Sequence, residues 1–421
     1  MLPIIREKIT DGVFINSINI NRFKTNRLSV TMLVPLKSDT AAYFTLLPAM
    51  LTRSCEFLPD FSSLSRYLDM QYGADLYSQT KKMGDNLALT ISLSFLKDKY
   101  TMGGEQISKK LSELLCKLIF EPLLEGEAFS KTDLEIEKAH LLDSISAEYN
   151  EKRSYSIKRM IENMCRNEVF GISHYGSYES VEKTTPKDMF NAWQYALKSA
   201  RFEIMSIGDE EAVEMIINAF SSRFKNMVRT PIICDTELLY DVTNVKEIVE
   251  ESNVSQSKLV MGFRTPFGEP ENTYPIRLAT DILGGNTTSK FFVNIREKQS
   301  LCYYCTARFY KVKGILVVDS GVETCNVERT KNEVIKNIEL MKSGDISDYE
   351  INSAKLSISN HFKTVGDSTL GLEAWFLNQL MCKQMLSPEE ACERINNVTK
   401  DEIINAVNNI QLDTVFVLKG N

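Results

Sequence analysis

Along much of the chain, large apolar side chains alternate with small or polar ones. From Leu87 to Phe95 (Leu-Ala-Leu-Thr-Ile-Ser-Leu-Ser-Phe) the alternation is unbroken, which predicts a strand with one face on a core. The stretches Leu28 to Leu36, Lys258 to Phe263 and Ile315 to Val322 predict strands in the same way. Between them the period lengthens. In the run from Ile107 to Ile119 the apolar residues fall at i, i+4, i+7 and i+8, the face of an amphipathic helix. Longer helical patterns open at Asp133 and at Asp348. Thr185 and Thr399 each stand at a helix start, with a side chain able to accept from the first-turn amides. Strands and helices are interspersed in both halves, so the fold class is α+β.

The two halves carry these features in the same order. Asp133-Leu-Glu-Ile-Glu-Lys-Ala corresponds in character to Asp348-Tyr-Glu-Ile-Asn-Ser-Ala-Lys. Thr185-Pro-Lys-Asp-Met-Phe-Asn-Ala corresponds to Thr399-Lys-Asp-Glu-Ile-Ile-Asn-Ala. The strand at Arg201 to Asp209 corresponds to the one at Asp413 to Asn421. A nearly constant offset of about half the chain points to a duplicated unit. The polar, weakly patterned stretch from Arg229 to Ser257 is the expected connection, with domains 1–240 and 241–421 on either side of it.

Composition narrows the function classes. The chain has 421 residues, 43% hydrophobic and 25% charged, with 19 Gly and 11 Pro, as ordinary globular proteins do. Nine Cys at irregular spacings do not form an extracellular disulfide framework, and a chain this long needs no staples, so free thiols in a reducing cytoplasm are expected. The opening Met1-Leu-Pro-Ile-Ile-Arg-Glu-Lys places charges where a signal peptide has its apolar core. No uncharged run comes near the roughly 18 residues that span a membrane. A net charge of −7 with scattered Lys and Arg argues against nucleic acid as a partner.

Candidate chemistry is sparse. Only three His are present: His140, His174 and His361. Glu137, His140 and Asp143 share one helical face but lack a fourth ligand, and read as a solvated face. Cys302-x-x-Cys305 has half of a zinc-knuckle spacing without a second pair. It lies in an expected strand, where i and i+3 point to opposite faces, so the two read as core or edge thiols. No Cys-His nucleophilic pair and no Gly-x-Ser-x-Gly elbow stands out.

The stretch Ile282-Leu-Gly-Gly-Asn-Thr-Thr-Ser-Lys-Phe-Phe-Val-Asn-Ile-Arg-Glu-Lys-Gln-Ser-Leu-Cys-Tyr-Tyr resembles the pitrilysin/insulinase family of zinc metallopeptidases. That family typically shows Leu-Gly-Gly, then Ser, then Arg-Glu-Lys followed by Gly-Leu-Ala-Tyr. Asp133 to Ile145, Tyr175-Gly176, Thr185 to Met189 and Ile207-Gly208-Asp209 follow family landmarks in order. The resemblance implies two homologous tandem domains, each a mostly antiparallel sheet covered by helices. It also implies a helical His-x-x-Glu-His, whose i, i+3 and i+4 side chains face one zinc. Aligned on the strand Val30 to Leu36, that motif falls on Thr45-Leu46-Leu47-Pro48-Ala49: Thr45 and Ala49 replace the imidazoles and Pro48 replaces the general base. The third ligand of active relatives falls near Asp143-Ser144. No metal and no cofactor is expected on this chain alone.

Two positions that serve active relatives are retained. Arg296 and Tyr303 match the Arg and Tyr that reach the zinc site from the second half and hold substrate. A guanidinium donates to a backbone carbonyl, and a phenol can stabilise the oxyanion formed from it. Motif spacing favours Tyr303 over Tyr304, although a one-residue bulge would exchange them. Gly284 and Gly285 would line a substrate path, as glycine-rich segments do in some non-catalytic subunits, or simply end a helix.

The pattern resembles heterodimers of this family in which one subunit carries the zinc motif and the other supplies the Arg and Tyr. It also resembles the motif-less branch linked to modification of elongation factor P. The resemblance implies a zinc-motif-bearing homologous partner, or a homodimer in its absence, and a peptide substrate. Three readings follow: a non-catalytic peptidase subunit, an inert peptide-binding or scaffold protein, and an autonomous metallopeptidase, which the missing motif disfavours.

Overall fold

The computed structural model describes residues 4–225, 227–266 and 273–420. The first half runs β1 (Ile4–Thr10), β2 (Val13–Asn19), β3 (Thr25–Pro35), α1 (Ala41–Leu51), α2 (Phe61–Met70), β4 (Asp75–Met83), β5 (Asn86–Leu96), α3 (Ile107–Phe120), α4 (Lys131–Asn150), α5 (Lys152–Met164), α6 (Tyr178–Lys183), α7 (Pro186–Ser199), β6 (Arg201–Gly208) and α8 (Glu210–Phe224). The second runs β7 (Lys246–Glu251), β8 (Ser257–Arg264), α9 (Thr273–Gly284), β9 (Cys302–Tyr310), β10 (Ile315–Val322), α10 (Val327–Lys342), α11 (Asp348–Val365), α12 (Thr369–Met381), α13 (Pro388–Asn397), α14 (Lys400–Asn408) and β11 (Gln411–Lys419).

The two sheets repeat one topology. The first has the order β1-β2-β6-β3-β5-β4 and the second β7-β11-β8-β10-β9, so the second equals the first without β1. In each sheet one pair is parallel, β2 with β6 and β7 with β11, and every other pair is antiparallel. The helix starts repeat as well. Thr185 accepts from the Asp188 amide while Asp188 accepts from the Thr185 amide, and Thr399 and Glu402 form the same reciprocal cap. The α+β class and the two-sheet architecture expected from the sequence are present.

The expected connection from Arg229 to Ser257 needs correction, because it contains β7. Alternation there is masked by Lys246, Glu247, Glu250 and Glu251. Charges suit an edge strand, because they discourage pairing with a further chain.

By contacts the chain divides into two compact units that exchange one helical segment each. The first holds 1–145, 172–235 and 367–378, and the second holds 146–171, 236–366 and 379–421. The units change over at 235/236 but are not continuous stretches of chain, and the exchange has no signature in hydrophobic period. Within the first unit, β3, β5 and β6 press Val30, Leu89, Ile91 and Ile204 onto helices including α1, α3 and α7. The other sheet face is polar yet buried. There Arg27 donates to Glu373, from the inserted segment, at 2.5 Å and to Ser92 at 2.8 Å.

In the second unit, α5 packs Met160 and Met164 on the sheet beside Val260, Val317 and Phe416. Gly262 makes this approach close: a Cβ there would stand 2.5 Å from Met160 Sδ. Among the described residues no helix is long and apolar enough to cross a membrane. All nine cysteines are free thiols.

Candidate functional site

The aligned motif positions lie on α1 of the first unit. Pro48 is inside the helix, where its ring removes the amide that would bond the Phe44 carbonyl. The helix ends one turn later, and the Thr52 hydroxyl reaches back to the Pro48 and Ala49 carbonyls at 3.0 Å each. Thr45 has committed its hydroxyl, which donates to the His174 carbonyl at 2.5 Å. A zinc site needs three imidazole, thiolate or carboxylate donors around an open position. These positions offer a hydroxyl, a pyrrolidine ring and a methyl group, so the residues do not fit the ion.

The acids on α4 do not repair the loss. Arg53 donates to Asp133 at 2.8 Å and to Glu137 at 2.7 Å, so a guanidinium already neutralises the carboxylate that would have anchored the Glu137, His140 and Asp143 face. His140 is exposed, 3.6 Å from Glu137. Asp143 is also exposed, and Ser144 hydrogen-bonds the His140 carbonyl. Among the described residues no group of three or more His, Cys, Asp or Glu side chains could hold a metal ion.

In the second unit, Arg296 is the penultimate residue of a π-helical segment, Phe291–Glu297. The chain then turns at Ser300, a non-glycine residue in the left-handed region with φ +51°. The turn is fixed by Ser300 N–H to the Arg296 carbonyl at 3.0 Å and Leu301 N–H to the Ile295 carbonyl at 3.1 Å, and it delivers the chain into β9. Cys302 pairs with Val322 and Tyr304 with Gly321, which leaves Tyr303 as an extra residue in a β-bulge. A cavity of about 360 Å³ opens here, lined by Arg296, Glu297, Ser300, Leu301, Cys302, Tyr303 and Glu323.

The structure therefore brings Arg296 and Tyr303 to one cavity. Tyr303 is 56% exposed. The Arg296 guanidinium rests over the Phe292 ring at 4.6 Å and its Nε lies 3.7 Å from Glu297, which leaves its donors open to a ligand. Tyr304 points elsewhere. Its ring packs on Gly321 and lies 4.3 Å from the Arg153 guanidinium, and burial, reinforced by Asp319, pushes its hydroxyl up to about 12. A guanidinium and a phenol on one open cavity can both donate to a carbonyl oxygen.

Gly284 and Gly285 do not line this cavity. Gly284 ends α9 and is buried; a Cβ there would stand 2.6 Å from the Ala307 amide nitrogen, so its absence lets α9 lie on β9. Gly285 follows on the surface against Asp281.

One sequence expectation is corrected. Cys302 and Cys305 do not face opposite ways, because the bulge at Tyr303 adds a residue between them and both thiols turn inward. Spacing carries no sign of this, since a bulge is a property of the ladder.

A family model described as Peptidase M16 inactive domain matches residues 183–358, a span that includes Arg296 and Tyr303. The chain is 32% identical to the Bacillus subtilis protein YmfF, described as a probable inactive metalloprotease, over 97% of this chain and 96% of that one. A crystal structure of a conserved protein from Enterococcus faecalis V583 superimposes with a TM-score of 0.91 at 24% identity, covering 99% of each chain. The peptidase M16 inactive domain from Pseudomonas fluorescens superimposes with a TM-score of 0.79 at 16% identity, covering 100% of this chain and 99% of that one. With the repeated sheets, the empty-handed α1 positions and these similarities together, the chain belongs to the peptidase M16, or pitrilysin/insulinase, family as an inactive member that lacks the zinc motif.

Proposed function

We propose that the chain is the non-catalytic, substrate-binding subunit of a heterodimeric zinc-dependent processing peptidase, presenting Arg296 and Tyr303 to the zinc site of a motif-bearing homologue. One observation carries the reading: donors that could hold a peptide carbonyl are exposed together on one cavity, in a chain whose own motif positions have no zinc ligands. In the combined site Arg296 would hold the substrate backbone and Tyr303 would donate to the oxyanion that develops at the scissile carbonyl. Without the motif-bearing partner the chain would form a homodimer. Nine unpaired thiols support a reducing cytoplasm as its location.

The test is peptide hydrolysis by this chain, by a zinc-motif-bearing homologue of the same organism, and by the two mixed, each with zinc and with chelator. Cleavage that requires the mixture and falls away with Arg296→Ala supports the proposal. A stable complex without cleavage would favour an inert peptide-binding module, and chelator-sensitive cleavage by the pure chain would overturn both.

A further inference from the structure

Cys302-x-x-Cys305 is a chemistry-bearing motif that the proposed function leaves unused. On a flat strand its two thiols could not meet. Here Tyr303 is the unpaired residue of the β9 bulge, and residues 302 and 305 come to the same side, at 8% and 5% exposure. The neighbouring Cys305 thiol holds Cys302 below the ordinary thiol value, with Ser320 and Arg296 adding to this against the opposing effect of burial, and Cys302 in turn raises Cys305 well above that value. The two sulfurs also differ in access. Cys302 lines the Arg296 cavity, whereas Cys305 lies behind it, opposite Ser320 on β10.

We propose that Cys302 and Cys305 are a reversible dithiol–disulfide pair, with Cys302 the thiol that a small hydroperoxide reaches through the Arg296 cavity and Cys305 the thiol that resolves it. The Cys302 thiolate attacks the terminal peroxide oxygen. The O–O bond breaks, a sulfenic acid forms, and hydroxide leaves and is protonated to water. The Cys305 sulfur then attacks the sulfenic sulfur, the S–O bond breaks, and the oxygen departs with the Cys305 proton as a second water. Two thiols lose two electrons and hydrogen peroxide gains them. An added dithiol reverses the bond by exchange. Because Tyr303 stands between the two sulfurs in sequence, the disulfide would fix the bulge that holds it on the cavity. That consequence for substrate rests on the function proposed above, whereas the disulfide does not.

The full-length reduced protein, treated with hydrogen peroxide, blocked with N-ethylmaleimide and digested with trypsin, tests the pair directly. Cleavage after Lys298 and Arg308 releases residues 299–308 with both cysteines on one peptide. The expected product is that peptide about 2 Da lighter than its reduced form and without maleimide, restored by dithiothreitol. Its oxidation should outpace that of buried Cys116 and Cys165 by at least about tenfold, because burial raises both of those thiols. In Cys305→Ser the reaction should stop at Cys302 sulfenic acid, captured by dimedone. The proposal is overturned if 299–308 stays fully alkylated while exposed Cys325 is consumed, or if Cys302 runs to sulfinic acid with no cross-link in the unsubstituted protein. The latter carries the test even where a variant fails to fold.

Discussion

Arg264 and Glu168 form a two-pronged ion pair, Nη1 to Oε2 at 3.1 Å and Nη2 to Oε1 at 2.5 Å, with side chains only 5% and 3% exposed. Lys313, fully buried, lies 3.0 Å from the same carboxylate, and Arg264 also donates to Asp413 at 2.9 Å. Glu168 follows α5, so this network ties the inserted segment 146–171 to the second sheet. Removing one partner of such a pair leaves charge uncompensated in the interior, at a cost of about 3–5 kcal/mol. Glu168→Gln is therefore expected to lower the urea midpoint of the second unit by that equivalent. A midpoint equal to that of the unsubstituted protein would show that the network is not what holds α5.

The same carboxylate sets a pH dependence. Burial pushes Glu168 up, but Arg264 and Lys313 outweigh it, and the net position is below the ordinary 4.5. A group whose folded value is depressed stabilises the fold fully above its unfolded value, and that stability is lost as pH falls through the folded value. The second unit should hold constant stability from this source above about pH 5 and lose it progressively below about 4.5. In Glu168→Gln the acid limb of a thermal-stability profile should flatten. An unchanged limb would assign the acid sensitivity to other carboxylates.

Gly284 gives a packing prediction that separates the two sequence readings of that position. A methyl group placed there would stand 2.6 Å from the Ala307 backbone nitrogen and 2.8 Å from the Phe291 ring, and backbone cannot move aside as a side-chain tip can. Gly284→Ala should destabilise by about 1–3 kcal/mol through overpacking between α9 and β9. The measurement is a thermal melt alongside binding of an unstructured peptide to the folded variant. Unaltered stability with lost peptide binding would instead place Gly284 on a substrate path.

These positions show how far the sequence was legible. Leu87 to Phe95, Ile315 to Val322 and the capped starts at Thr185 and Thr399 were readable because each is decided by neighbours close in sequence. The absence of zinc ligands at Thr45, Pro48 and Ala49 was readable because a side chain that cannot bind metal needs no geometry to exclude it. Three features were not. Strand β7 hides its alternation under the charges that protect an edge. The exchange of 146–171 and 367–378 is decided by partners such as Glu168–Arg264 and Arg27–Glu373, far apart in sequence. The bulge that separates Tyr303 from Tyr304, and turns Cys302 and Cys305 to one side, arises in the pairing of β9 with β10.

Rebuilding the motif should not rebuild a tight zinc site. Thr45→His, Pro48→Glu and Ala49→His together would supply two imidazoles and a base, but the third donor would still have to come from α4. There Asp143 is exposed, while Glu137 and Asp133 are held by Arg53. The triple variant is expected to take up zinc and surrender it to a chromogenic chelator of micromolar affinity. Stoichiometric zinc retained through that competition would mean that α4 can supply a ligand after all.

Arg296 and Tyr303 give the functional prediction. Neither is held by much that folding depends on: Tyr303 is exposed, and the Arg296 contacts are a ring face and a solvent-exposed ion pair of the kind worth little. Arg296→Ala should leave the stability of this chain within about 0.5 kcal/mol. In the mixture with a motif-bearing homologue it should lower kcat/KM by about 10²–10³, the usual cost of removing a preorganised donor. Tyr303→Phe keeps the ring and loses only the hydroxyl, so its loss should fall on kcat with KM little changed. Tyr304→Phe is the control, because its ring packs against Gly321 and lies beside Arg153 rather than on the cavity. Equal losses for Tyr303→Phe and Tyr304→Phe, or full activity with Arg296→Ala, would remove these residues from the substrate site and leave the cavity without a part in hydrolysis.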